Sequence, residues 1–225
     1  KEQTELVHAL VRDSADAITF LEQHLQTNLS VVSLLGGHSA ARTHRAPAGP
    51  KPLNVGLAIM QGLERAARAS SLVSIVTNAR ATGLLSDATG RVTGVKYVLK
   101  RDGGEEEEDQ ELHADAVVLS TGGYSTDRTG LLAEYNSELT KLPSTNAVWR
   151  SAGEGVRMGR ALGARLALME YVQVHPTALV DPADPDASFV ILAGEALRGD
   201  GGILINASGK RFADELTYRD TLTAA

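Results

Sequence analysis

Cysteine is absent from the 225 residues. That absence excludes disulfides, thiolate nucleophiles and cysteine-ligated metals, and a reducing context is expected. No run of about 18 apolar residues occurs, so no stretch has the pattern of a membrane-crossing helix. Basic charge is in deficit: 22 Lys and Arg stand against 28 Asp and Glu, a formal net charge of -6. A nucleic-acid-binding face calls for the opposite balance, so no nucleic-acid partner is expected. The G-x-G-x-x-G dinucleotide fingerprint is also missing.

With 43% hydrophobic and 22% charged residues, the chain has the composition of a folded protein and not of a disordered one. Its length allows one large domain or two small ones. The opening KEQTELVHALVRD patterns as helix and not as a signal peptide. The chain starts inside that helical pattern and stops at RDTLTAA as another helix begins, so an internal piece of a longer protein is expected.

Leu6, Val7, Leu10 and Val11 recur at helical spacing. Asp13 and Ser14 are candidate caps for a second helix carrying Ile18, Leu21 and Leu25. LSVVSLLGG (29–37) is a short apolar run, HSAARTHRAPAGPKP (38–52) an ordered polar loop, and VGLAIMQGLERAARAS (55–70) an amphipathic helix. VSIVTNARATGLLSD (73–87) and RVTGVKYVLK (91–100) are strand-like and separated by a turn at 88–90. The acidic run 102–111 predicts a solvated hairpin tip, because clustered like charges repel. AVVLS (116–120) predicts a buried strand, and uncharged strands flanked by helices predict a parallel α/β sheet. GEGVRMGRALGARL (153–166) predicts a helix opened by glycines, with Ser151 as a candidate cap. Glycine at such an end lets an anionic ligand approach the backbone N–H groups. EYVQVHPTALVDPADPDASF (170–189) is extended and irregular, which places a domain boundary near Met169.

The chemistry-bearing residues are ordinary when taken singly. His175 precedes a proline, so its backbone is extended, and a loop histidine is often structural. Glu195 and Arg198 stand at i, i+3, a spacing that on a surface contributes little. Arg219 is followed by Asp220, a ready ion pair.

Their order is less ordinary. STGG (120–123), GEG (153–155), HPT (175–177), E-x-x-R-G-x-G-G (195–202), GKRF (209–212) and ELTYRD (215–220) follow one another at set spacings. This series resembles the flavoprotein family of fumarate reductases and succinate dehydrogenase flavoprotein subunits. It is most similar to the soluble single-flavoprotein fumarate reductases of eukaryotic microbes, from about Leu29 to the last residue.

The resemblance implies an α/β fold. Residues 1–169 would be a partial FAD-binding domain of Rossmann-like, glutathione-reductase type, and residues 170–225 the start of the fumarate-reductase-type capping (clamp) domain. It implies FAD as cofactor, fumarate or succinate as the dicarboxylate substrate, no bound metal, and an electron-donor domain or protein, NADH-linked in some relatives. His175 matches a histidine that hydrogen-bonds a substrate carboxylate. Glu195 matches a glutamate beside the substrate, Arg198 the arginine paired with it, and Arg219 the arginine that donates the proton. Ala81 matches a backbone contact to the adenine side of FAD, Glu154 an acidic FAD-contacting position, and Thr121 and Gly122 the turn that passes the cofactor. The loop at Ser39, Arg42 and His44 resembles a segment near the flavin. Many relatives carry threonine where this chain has Gly194, so a hydroxyl donor to the substrate is lost. L-aspartate oxidase and the succinate dehydrogenase flavoprotein share the dicarboxylate motif and are the alternatives within the family. From a different class, the isolated fragment would be a catalytically silent structural module. The compartment stays open, since the relatives occupy cytosol, mitochondria and other organelles such as glycosomes.

Overall fold

The computed structural model describes residues 2–49, 54–99, 109–147 and 150–225. Two compact units form, each from separated stretches of chain. The first comprises Lys1–Ile75 with Glu195–Tyr218, and the second Val76–Gly194 with Arg219–Ala225.

The first unit begins with helix α1 (Glu2–Leu25), which is continuous. The expected break at Asp13 and Ser14 does not occur. Asp13 pairs with Arg12 at 2.7 Å, and the Ser14 hydroxyl donates back to the Val11 carbonyl, so neither side chain is free to cap a new helix. Asn54 caps α2 (Val55–Ala69) by accepting from the Gly56 N–H at 2.9 Å, a contact that contributes about 1 kcal/mol. The two helices meet where Gly62 faces Leu25. A Cβ on Gly62 would lie 2.9 Å from the Leu25 Cβ, so only glycine allows this approach. Leu29 is buried, 1% exposed, its N–H held by the Glu22 carboxylate. Strands β1 (Val31–Ser33) and β2 (Thr43–Arg45) pair antiparallel and pin both ends of the loop between them. His44 Nδ1 lies 2.8 Å from the Leu29 carbonyl oxygen.

In the second unit, β3 (Ala79–Ser86), β4 (Val92–Leu99) and β5 (Gln110–His113) form an antiparallel meander. The β3–β4 turn falls at 88–90, where the sequence predicts it. Asp87 Oδ1 accepts from the Thr89 hydroxyl and amide and from the Arg91 amide, and Gly90 adopts φ +85°. Residues 102–108 of the acidic run lie outside the described residues, but β4 and β5 pair on either side of them.

The parallel sheet is not found: every strand pair among the described residues is antiparallel. The stretch 116–120 pairs with nothing there, and Val118 is 87% exposed. An apolar run becomes a strand only when a neighbour satisfies its backbone groups, and none of the described residues does so. Residues 73–78 likewise stay outside the meander.

Short elements complete the unit. They are α3 (Leu131–Tyr135), a 3₁₀ turn (Ser137–Lys141), α4 (Glu154–Ala161), β6 (Ala178–Leu179) paired with β7 (Ile191–Leu192), and α6 (Arg219–Thr223). Leu131, Leu132, Met158, Val190 and Leu222 are buried among them. Helix α4 is shorter than the predicted 153–166, because its last carbonyls are closed off by the turn at Gly163, φ +83°. Its N-cap is Gly153 and not Ser151, which is buried and whose carbonyl accepts from the Thr126 N–H. Helix α5 (Ala196–Gly199), a single turn, belongs to the first unit. The ILIN stretch that follows it forms no strand, only one bridge from Ile205 to Arg211. No helix among the described residues is long and apolar enough to cross a membrane.

Candidate functional site

The second unit brings two glycine turns together. Gly153 donates its N–H to the Gly123 carbonyl at 3.1 Å, which ties the turn at 121–123 to the start of α4. Gly122 and Gly153 hold φ +78° and +75°, a left-handed backbone that strains any side chain. Gly155, in the first turn of α4, faces Thr121 so closely that a Cβ would collide with its hydroxyl. Thr121, Gly122, Gly123 and Glu154 are exposed while Gly153 and Gly155 are buried, so bare backbone lies at the surface at 122–123, beside a helix start. Helix α4 lies against β3, the strand of Ala81. Ala81 sits at a bulge: it pairs with Tyr97, and Gly83 with the adjacent Lys96, which leaves Thr82 unopposed.

His175 lies elsewhere in the same unit. Its Nδ1 is 2.9 Å from the Thr177 carbonyl oxygen, a geometry in which an Nδ1–H donates. Thr177 is fixed in turn by two bonds to Ala193, hydroxyl to carbonyl at 2.9 Å and carbonyl to amide at 3.2 Å. His175 lines a cavity of about 280 Å³ with Ser125, Ser144, Asn146, Gln173 and Thr223 among its walls. Thr223 belongs to α6, the helix that Arg219 opens, and its hydroxyl donates to the Arg219 carbonyl at 2.7 Å. Gly194 is half-buried, yet a Cβ built there meets nothing within 4 Å. Its lack of a side chain has no steric cause.

Glu195 and Arg198 belong to the first unit. Both are buried, 7% and 3% exposed, on the turn of α5. Glu195 Oε1 accepts from the Gly36 N–H at 2.6 Å, and Arg198 Nη1 donates to the Glu215 carbonyl at 2.6 Å. Arg198 Nε and Nη2 are buried without a hydrogen-bond partner among the described residues, as is His38 Nδ1. An unsatisfied buried guanidinium edge is costly, and its two parallel N–H groups suit an oxygen acceptor.

The surrounding backbone is packed too tightly for side chains. A Cβ on Gly36 would lie 2.8 Å from Glu195 Oε1 and 2.9 Å from the Thr217 carbonyl oxygen. A Cβ on Gly199 would lie 2.6 Å from the Leu34 carbonyl oxygen. Glu215, 3% exposed, accepts from the Leu204 N–H and from Arg211 Nε and Nη2. Arg211 first, and then the Leu204 amide, hold its carboxyl well below the usual range, at about 2.

The expected site residues thus fall into two sets. Ala81, Thr121, Gly122, Glu154, His175, Gly194 and Arg219 belong to the second unit, Glu195 and Arg198 to the first. Sequence context gives no role to Gly36, Arg211 and Glu215. The one local signal for Glu215 is its i, i+4 spacing from Arg211. Among the described residues no group of three or more His, Asp or Glu is placed to hold a metal.

The FAD binding domain family matches residues 1–225. Fumarate reductase 1 of Saccharomyces cerevisiae is 38% identical over 224 residues, covering 98% of this chain and 46% of its own length. L-aspartate oxidase of Caulobacter vibrioides is 39% identical over 201 residues, covering 87% and 34%. The open conformation of a flavocytochrome c3 fumarate reductase superposes with a TM-score of 0.71 at 30% identity, over 95% of this chain and 34% of that one. The chain therefore spans less than half the length of these relatives. The joined glycine turns fit a cofactor of this kind. Gly122 and Gly123 leave exposed backbone without a side chain next to a helix start that favours negative charge, and Gly155 lets Thr121 pack against that start.

Proposed function

The chain belongs to the FAD binding domain family, and from that premise we propose that it is the middle section of an FAD-dependent fumarate reductase. The observation that carries the reading is the buried turn of α5, where a carboxylate and a guanidinium lie on one helical turn, the guanidinium with an N–H edge that none of the described residues satisfies. In this reading residues 1–169 are part of the FAD-binding domain and residues 170–225 begin the capping domain. Ala81, Thr121, Gly122 and Glu154 contact the cofactor.

Fumarate is a dianion, and its reduction needs one hydride and one proton. Bound reduced FAD supplies the hydride. The protein supplies charge, orientation and the proton. His175, its ring held through Nδ1 against Thr177, binds one substrate carboxylate. Arg219 clamps the dianion and donates the proton. An arginine, with a pKa above about 12, is a weak acid. The carbon left after hydride addition is carbanion-like and basic enough to take a proton from it. Arg219 must then be reprotonated, and Glu195 and Arg198 form the supply. The guanidinium stays charged between turnovers and so keeps its hold on the dianion.

The identity to an L-aspartate oxidase supports a second reading, in which the same residues bind aspartate and oxygen is the electron acceptor. The full-length protein decides between them. Turnover of fumarate with reduced viologen, and none of aspartate with oxygen, is the expected result; the reverse pattern overturns it. The electron donor, whether an attached domain or a separate NADH-linked protein, follows from which donor reduces the bound flavin.

A further inference from the structure

Glu215 stands outside the relay, yet three lines of contact run through it. Its carboxylate is ionised and accepts from three N–H donors. The Leu204 N–H reaches Oε1 at 2.7 Å, and Arg211 Nε and Nη2 reach Oε2 at 3.0 and 2.6 Å. Its own carbonyl receives a hydrogen bond from the Arg198 guanidinium, at 2.6 Å. The next carbonyl, that of Leu216, accepts from the Gly37 N–H at 2.7 Å, and the neighbouring Gly36 N–H holds Glu195 Oε1. Two consecutive carbonyls thus hold the arginine and the loop that holds the glutamate. The carboxylate of Glu215 fixes the segment that carries both.

We propose that Glu215, clamped by Arg211, is the positioning residue that sets Glu195 and Arg198 in register. The proposal rests on the proton-relay reading given above. A carboxylate is needed because the clamp consists of donors only. Glutamine would turn one of its contacts into an N–H facing an N–H. The segment of Glu215 and Leu216 would then shift, and misplacing a catalytic group by about 1 Å can cost about 100-fold in rate.

The test uses the full-length flavoprotein with Arg211→Ala, Glu215→Gln and Arg198→Met, assayed with reduced viologen and fumarate per bound flavin. Arg211 has an exposed side chain, so its variant should fold even if substitution of the buried Glu215 does not. Arg211→Ala and Glu215→Gln are each expected to lower kcat about 10- to 100-fold. KM for fumarate and FAD content should stay unchanged, and the solvent deuterium isotope effect on kcat should rise. The double variant should be little worse than either single one, because both remove the same clamp. Wild-type kcat per flavin in Arg211→Ala overturns the proposal, even if thermal stability falls. If Arg198→Met itself keeps wild-type kcat, the relay reading fails instead.

Discussion

The two glycine turns of the second unit and the α5 cluster of the first work in opposite ways. At 121–123 and 153–155 the useful feature is the absence of side chains: Gly153 and Gly155 are buried against the neighbouring turn, and the backbone of 122–123 stays exposed. Around Glu195 and Arg198, Gly36 brings backbone close to the Glu195 carboxylate and Gly199 packs against the Leu34 carbonyl, so that side chains carrying charge can be buried there. The first region is limited by sterics alone, the second by sterics together with electrostatics and hydrogen-bond direction. A substitution that adds a methyl group should damage both, whereas one that moves or removes a charge should damage the second.

The largest expected effect is on charge. Arg219→Ala in the full-length protein should lower fumarate turnover by about 10²- to 10⁴-fold, the usual contribution of a general acid. The flavin spectrum should be unchanged, because the glycine turns are untouched. Near-wild-type turnover would remove Arg219 from the mechanism. The steric counterpart is Gly155→Ala. Its Cβ would enter the space of the Thr121 hydroxyl, with a cost of about 1–3 kcal/mol and reduced FAD content at purification. Adding Thr121→Ala should restore most of both, and no rescue would mean that the clash is not the cause.

Gly194 sharpens the contrast, since it is a glycine with open space at its Cβ. Gly194→Thr should therefore fold normally. It should also lower KM for fumarate by about 2- to 10-fold, the worth of one added hydrogen bond. A fall in stability instead would show that the space is filled in the whole protein. The smallest effect expected is that of acid on the first unit. Glu215 has a folded-state pKa of about 2 against an ordinary value of 4.5. The depressed value means that its contribution to stability is present above about 4.5 and is lost as pH falls toward 2. Protection of the Leu204 and Gly37 amides, corrected for intrinsic exchange, should decline across that window, while the Gly153 amide keeps its protection. Equal loss at all three would break the comparison.

The helix at 55–69, the β3–β4 hairpin and its turn at 88–90 were legible because each rests on local signals: amphipathic spacing, strand-like runs and the turn residues between them. The run 116–120 misled, because an apolar run specifies a strand only together with a partner. Asp13 and Ser14 misled because Arg12 and the Val11 carbonyl captured the would-be caps. At the site, the order of motifs pointed to Glu195, Arg198 and His175. It did not tell that Arg198 binds the Glu215 carbonyl, nor that Gly36 holds Glu195.

The sequence by itself determined the family, the cofactor class and which residues are candidates for the chemistry, because these depend on residue type, order and spacing. Only the tertiary structure decided who holds whom. The contact from Gly36 to Glu195 spans 159 positions and that from Arg198 to Glu215 spans 17. Such contacts are set by how the backbone closes on itself, through glycines whose missing side chains matter only once another segment lies against them.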